Sequence, residues 1–181
     1  MIISTHRKSA FSLIEVMIGL AIFSIVAVGV ASASLQASRI AYSNIYRNTA
    51  FTAAQGYAEQ IKSISYFAIT SALENPTLNT IPTKSLSLGA GQTAEIDDPL
   101  RFNERSLKKI VIDVEERADG SLNQRVMNMW ITPTARDLRS APEGLKAIEI
   151  TLNFEWELVM SGFTKTNVDS IKLLKTDVTE Y

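Results

Sequence analysis

Carboxylates are the residues here whose type and spacing are suited to chemistry. Glu155 and Glu157 alternate on one side of an apolar-polar repeat, which sets them about 7 Å apart along a strand. A glycosidase needs such a pair, though usually drawn from separate elements; a solvated strand edge explains this one better. Asp97 and Asp98 are adjacent, but no further spaced acidic ligands follow as a calcium loop requires, so a solvated turn before Pro99 is the simpler account. Trp130 has the shape of a sugar platform, whereas Trp156 falls in an apolar register and reads as core. The chain has one histidine, His6, and no cysteine, so no disulfide holds it together.

Glu15 is a different kind of carboxylate. It is the only charge in residues 11–35, an apolar run that would cover about 37 Å as a helix, enough to cross a hydrocarbon core of about 30 Å. A carboxylate at the centre of such a helix costs about 2.5 to 3.5 kcal/mol, so one retained there usually marks a function. Ahead of the run lies a polar leader with His6, Arg7 and Lys8, followed by the small residues Ser9 and Ala10. A secretory signal is cut after its apolar segment, which spans about 7 to 15 residues. This run is too long for that, and its small residues come first, so a cut behind Ala10 leaves the helix in place with Phe11 as the new amino terminus. Glu15 then sits about one turn from a free amine and near the positive end of the helix dipole. Loss of the leader also removes His6, and with it Ser-His-Asp and Cys-His catalysis and the usual zinc sites. No metal or cofactor is expected, and the protein does not read as an enzyme.

The segment Lys8-Ser9-Ala10-Phe11-Ser12-Leu13-Ile14-Glu15-Val16-Met17 resembles the processing site of type IV pilins and type II secretion pseudopilins. The resemblance covers roughly residues 7–35. It implies cleavage between Ala10 and Phe11 by a prepilin peptidase and methyltransferase, N-methylation of Phe11, and pairing of Glu15 with the Phe11 amine of a neighbouring subunit during assembly. Ala10 departs from the family, which mostly has Gly there; since Ala is the next smallest side chain, cleavage is still expected. The absence of cysteine, where many major pilins pin a loop by a disulfide, and of proline within the long helix point to a minor pilin or pseudopilin. So does the segment 56–63, which looks like the helix of subunits that cap or initiate filaments. The implied partners are other pilin or pseudopilin subunits, an inner-membrane platform protein with a cytoplasmic motor ATPase, and membrane lipid.

The rest of the chain must position these residues. The expected organisation is a leader at 1–10, a transmembrane and assembly helix at 11–35, its amphipathic continuation at 36–64, an irregular loop region at 65–107 and an antiparallel sheet at 108–181. Ala50, Phe51, Ala54, Tyr57, Ala58, Ile61 and Ile64 recur at helical spacing, and no proline precedes Pro76. One helix from 11 to 64 would run on the order of 80 Å. Gly19, Gly29 and Gly56 weaken it locally; Gly19 and Gly29 suit either close helix packing or a hinge. Tyr42 and Tyr46 fall at interface depth, with helix surface or core an alternative for Tyr46. From 65 to 107, Pro76, Pro82 and Pro99 with Gly89 and Gly91 predict loop, with a short strand at 92–96. Asp119-Gly120 between apolar runs at 109–116 and 124–132 predicts a hairpin, and a loop with Pro133, Pro142 and Gly144 follows. Alternation over 147–158 and a last strand at about 168–174 complete a four-stranded antiparallel sheet covered by the helix, an α+β fold.

Composition bounds the partners. Hydrophobic residues make up 46% of the chain and charged ones 20%, with much of the apolar excess in the first fifth. The formal charge is −1, more negative without Arg7 and Lys8, so no basic surplus points to nucleic acid. Competence-type DNA uptake would need a basic patch, and only scattered lysines such as Lys108 and Lys109 are on offer. Arg7 and Lys8 predict an amino end in the cytoplasm and a carboxyl end outside it; the resemblance implies the inner membrane at first and then a periplasmic or cell-surface filament. The competing reading is a static single-pass anchor presenting a binding module or a carboxylate enzyme; it retains residues 1–10 and has no use for Glu15.

Overall fold

A computed structural model of the protein describes residues 13–75, 77, 79–84, 86, 99–138, 146–160 and 163–177. Helix α1 spans Leu13–Ser63, close to the expected limits. The chain divides into two compact units, residues 1–42 and 43–181, seven residues beyond the expected boundary at 35/36. Every described residue of the first unit is exposed. In the second unit Tyr46, Ala50, Ala53, Ala54, Tyr57, Ala58 and Ile61 form the buried stripe of α1, so Tyr46 is core rather than an interfacial anchor.

The sheet is a meander of β3 (Ser106–Glu116), β4 (Leu122–Asp137), β5 (Ala147–Met160) and β6 (Phe163–Thr176), antiparallel throughout and in the order β3-β4-β5-β6. Together with the helix it makes the fold α+β. The apolar positions of β5, from Ile148 through Ile150, Leu152, Phe154 and Trp156 to Leu158, are all buried, and Met127, Met129 and Ile131 of β4 join them beneath the α1 stripe. Phe154 lies at the centre, edge-on to Phe51 at 5.2 Å and stacked on Trp156 at 5.9 Å. At the far end the Lys175 ammonium donates to the Lys62 carbonyl at 2.6 Å, placing a cation where the helix exposes its last carbonyls.

Two expectations are corrected. The irregular region at 65–107 opens with a second helix, α2 (Tyr66–Glu74), whose start is fixed by Ser65: its hydroxyl accepts from the Ala68 N–H, and Ile69, Thr70 and Ala72 are buried. The region also holds β1 (Thr80–Ile81) and β2 (Leu100–Arg101), which pair antiparallel. The strand expected at 92–96, with Asp97 and Asp98, lies outside the described residues, as do Pro142 and Gly144. Pro133, expected in a loop, sits inside β4 opposite Leu152 and is fully buried. A proline lacks the N–H a central strand needs. Here the β3 ladder has already ended at Ile131, and the Pro133 carbonyl points to that vacated side, where it accepts from the Asn103 N–H at 2.8 Å. The missing donor therefore faces away from β5 and breaks no rung. Asn103 reaches it from a left-handed conformation, φ 61°, which asparagine tolerates.

Lys84 and Leu86 are strapped to α1. The Gln60 amide donates to the Lys84 carbonyl at 3.1 Å and accepts from the Lys84 N–H at 2.7 Å, imitating a strand partner. Gly56 admits the Leu86 side chain, which would lie 2.8 Å from an added Cβ, so this glycine serves close packing. Buried Thr83 takes the Leu100 N–H at 3.0 Å. Gln60→Ala is expected to cost about 1 to 2 kcal/mol, since both Lys84 backbone groups lose their partner. Amide exchange checks it: Lys84 protection falls while that of β5 persists.

The β3–β4 turn is the expected hairpin. Gly120 holds φ 78°, its N–H donates to the Arg117 carbonyl, and Asp119 accepts from both the N–H and the hydroxyl of Ser121. The Ser121 hydroxyl, then its N–H, hold the Asp119 carboxyl below its ordinary value of 3.8. Because the folded value is depressed, the carboxylate steadies the turn above pH 3.8 and that help is lost as pH falls through the lower folded value. An NMR titration of Asp119 should show its midpoint below 3.8, moving up in Ser121→Ala.

Candidate assembly and processing site

Glu15 stands in the first turn of α1, exposed, between Ile14 and Val16 and two positions from Leu13 and Met17, all of them exposed. By length and composition this helix can cross a membrane, and the whole of its apolar window is exposed. Two of its serine hydroxyls bond within the helix: Ser24 donates to the Leu20 carbonyl at 2.8 Å and Ser38 to the Ser34 carbonyl at 3.0 Å. This back-bonding removes the penalty of a bare hydroxyl in hydrocarbon. A Cβ on Gly19 or Gly29 would meet nothing within 4 Å, so neither glycine serves packing inside this chain. Ala10, Phe11 and the leader lie outside the described residues.

The alternative constellations come apart. Glu155 is ion-paired to Arg105 at 2.7 Å, and the same guanidinium lies 4.5 Å over the Trp130 ring. A carboxylate neutralised in this way is a poor partner for Glu157 in acid-base work, and one face of the proposed sugar platform is already covered. Trp156 is core. Among the described residues no group of three or more His, Cys, Asp or Glu side chains could hold a metal ion. Of the scattered lysines, Lys108 is buried with its ammonium 5.7 Å over the Tyr57 ring, so it offers nothing to a phosphate backbone. Arg105 escaped the sequence reading because its partner Glu155 is fifty positions away. Gln60 looked like one more polar residue between apolar stripes; nothing in its spacing marks it as the clamp on Lys84.

Comparison with known proteins adds to this geometry. Residues 5–31 match a family profile described as "Prokaryotic N-terminal methylation motif". That interval takes in the basic leader, the Ala10–Phe11 junction, Glu15 and most of the apolar span. No curated protein and no solved structure matches the chain. The motif and the long apolar helix it opens support a place in the type IV pilin and pseudopilin family. The function they support is pilin-like: processing by a prepilin peptidase, N-terminal methylation and assembly with other pilin subunits, from a membrane-anchored protein with an external domain. Proteins with this motif are typically structural.

Proposed function

We propose that this chain is a minor pilin or pseudopilin, a non-enzymatic subunit of a type IV pilus or type II secretion filament. The observation that carries the proposal is a methylation motif running into an apolar helix whose first turn holds one exposed carboxylate, Glu15. In this reading the chain is inserted in the inner membrane, cut between Ala10 and Phe11, methylated on Phe11, and drawn from lipid into a filament in the periplasm or at the cell surface. An incoming subunit pairs Glu15 with the Phe11 amine of its neighbour, which exchanges a costly lone charge in hydrocarbon for a pair. A platform protein in the membrane and a cytoplasmic motor supply the work. The lack of cysteine and of proline within α1, together with the elaborated 65–107 region, supports a minor rather than a major subunit.

Fractionation tests this. The protein should appear in sheared or detergent-extracted filaments as a small fraction of total pilin, and should stay in the membrane when the prepilin peptidase is deleted. Equal recovery from the membrane in both strains, with none in filaments, would contradict the proposal.

A further inference from the structure

The chain has one Asp-Gly step, Asp119-Gly120, and no Asn-Gly. At such a step the backbone can rearrange without an enzyme, because glycine has no Cβ to shield its nitrogen from the preceding side chain. The Gly120 nitrogen attacks the carboxyl carbon of Asp119, a C–N bond forms, and the carboxyl hydroxyl leaves with the proton of the nitrogen as water. Water then opens the five-membered succinimide at either carbonyl. One opening restores aspartate. The other gives isoaspartate, in which the chain runs through the former side chain and the backbone is one carbon longer.

The folded turn holds the two reacting groups apart. Its three-residue loop, 118–120, is closed by the Arg117 N–H, which donates to the Ser121 carbonyl at 2.8 Å. The nucleophile is engaged, since the Gly120 N–H donates to the Arg117 carbonyl at 2.9 Å. With that bond and no positive φ at Asp119, residues 117–120 form a type I turn ahead of the left-handed Gly120. Such a turn sets ψ at about 0° on its third residue, and attack requires rotation away from it. The electrophile is engaged as well: one Asp119 carboxylate oxygen accepts from the Ser121 N–H at 2.9 Å and from the Ser121 hydroxyl at 2.6 Å. Both bonds favour the carboxylate, whereas loss of water needs the neutral acid. A Cβ on Gly120 would meet nothing within 4 Å, so the protection comes from these bonds and not from packing.

We infer that Asp119-Gly120 is a latent isoaspartate modification site and that Ser121 is the positioning residue that keeps it closed. Conversion would undo the ribbon that this turn ties. Residues 122–128 of β4 pair with β3 alone, and residues 113–126 are exposed throughout. A two-stranded ribbon is marginal in water by itself, so this one depends on its turn. An extra backbone carbon at 119 replaces the three-residue loop that sets Glu116 opposite Leu122, and the register beyond it loses its anchor. The inference concerns the hairpin alone and stands apart from the filament reading, which rests on the amino-terminal helix.

The sequence makes the test direct: trypsin cuts after Arg117 and Arg125 and releases residues 118–125, in which Asp119 is the one acid. Full-length protein in detergent is aged at neutral pH and digested. The isoaspartyl form of that peptide elutes apart from the aspartyl form at equal mass and resists a protease that cuts before aspartate. Wild type, Ser121→Ala and Ser121→Thr are compared with wild type aged while unfolded in guanidinium chloride. The inference expects folded wild type to convert about tenfold more slowly than the unfolded chain, as for hydrogen bonds to a charged group. Ser121→Ala should convert several-fold faster than wild type with circular dichroism and melting unchanged, and Ser121→Thr, which keeps the hydroxyl, should stay slow. Equal rates for folded and unfolded wild type would overturn the inference, as would no isoaspartate in the unfolded chain. So would Ser121→Ala no faster than wild type, or Ser121→Thr as fast as Ser121→Ala. None of these outcomes touches processing at Phe11.

Discussion

Glu15→Ala protein is expected to insert in the membrane, to be cut and methylated as the wild type is, and then to fail to enter filaments. The separation of these steps follows from where the side chain stands. Glu15 is exposed in the first turn of an otherwise apolar span and holds nothing together among the described residues, so its removal costs no packing there. Insertion becomes easier, because a carboxylate among apolar neighbours is a burden in hydrocarbon. The loss appears only when a second subunit arrives and its amine finds no partner. Removing one member of a buried pair typically costs about 3 to 5 kcal/mol, so filament incorporation should fall by about a hundredfold or more. Glu15→Gln should resemble Glu15→Ala, and Glu15→Asp, which keeps the charge on a shorter arm, should retain part. Filament yield is read by immunoblot of the sheared fraction against the membrane pool. Wild-type yield from Glu15→Ala would remove the assembly role.

Phe154→Ala should produce the largest loss of stability from a single truncation. The ring is wholly buried at the middle of β5, with Phe51 of α1 edge-on at 5.2 Å and Trp156 stacked at 5.9 Å, so it joins helix to sheet. A cavity there opens between a helix and a sheet, each held rigid by its own backbone hydrogen bonds, so neither closes readily on it. The expected cost is about 3 to 5 kcal/mol, which for a unit of this size lowers Tm by about 10 °C. Phe154→Leu, which refills most of the volume, should lose less than half as much. Chemical denaturation of the full-length protein in detergent, followed by tryptophan fluorescence, gives the comparison. An effect of Phe154→Ala below about 1 kcal/mol would mean that the helix and sheet do not share this core.

Much of the architecture was legible because periodicity reports burial. The run from Ile148 to Leu158 alternates without interruption, and the structure buries each of its apolar members. Asp119-Gly120 announced its turn through the one residue that accepts a positive φ. What failed to show depended on tertiary context. Pro133 reads as a breaker until β3 stops two residues short of it and leaves its nitrogen side free. The α2 helix spans only nine residues, too few for a stripe, and its one local signal, Ser65 as the cap, is shared with many loops. Strand β6 runs longer than expected because an edge strand with one buried apolar residue among those described, Leu173, has little alternation to reveal it.

At the assembly site the position was the more legible, since a lone Glu in an apolar run stands out at any register. The Arg105–Glu155–Trp130 group was invisible, because it is made by strand pairing across fifty residues. The sheet face opposite the α1 stripe was read as wet from the polar positions of β5 alone. Exposed Leu107, Val126 and Val168 of β3, β4 and β6 share that face, and only strand register places them there.

The central claim is that the chain is processed into a filament subunit, and the amino terminus of the native protein tests it most directly. Mass spectrometry of protein purified from its own membrane is expected to find a chain beginning at Phe11 and carrying one N-methyl group. An intact start at Met1 would contradict the account: α1 would then be a static anchor, and Glu15 would have no amine to meet.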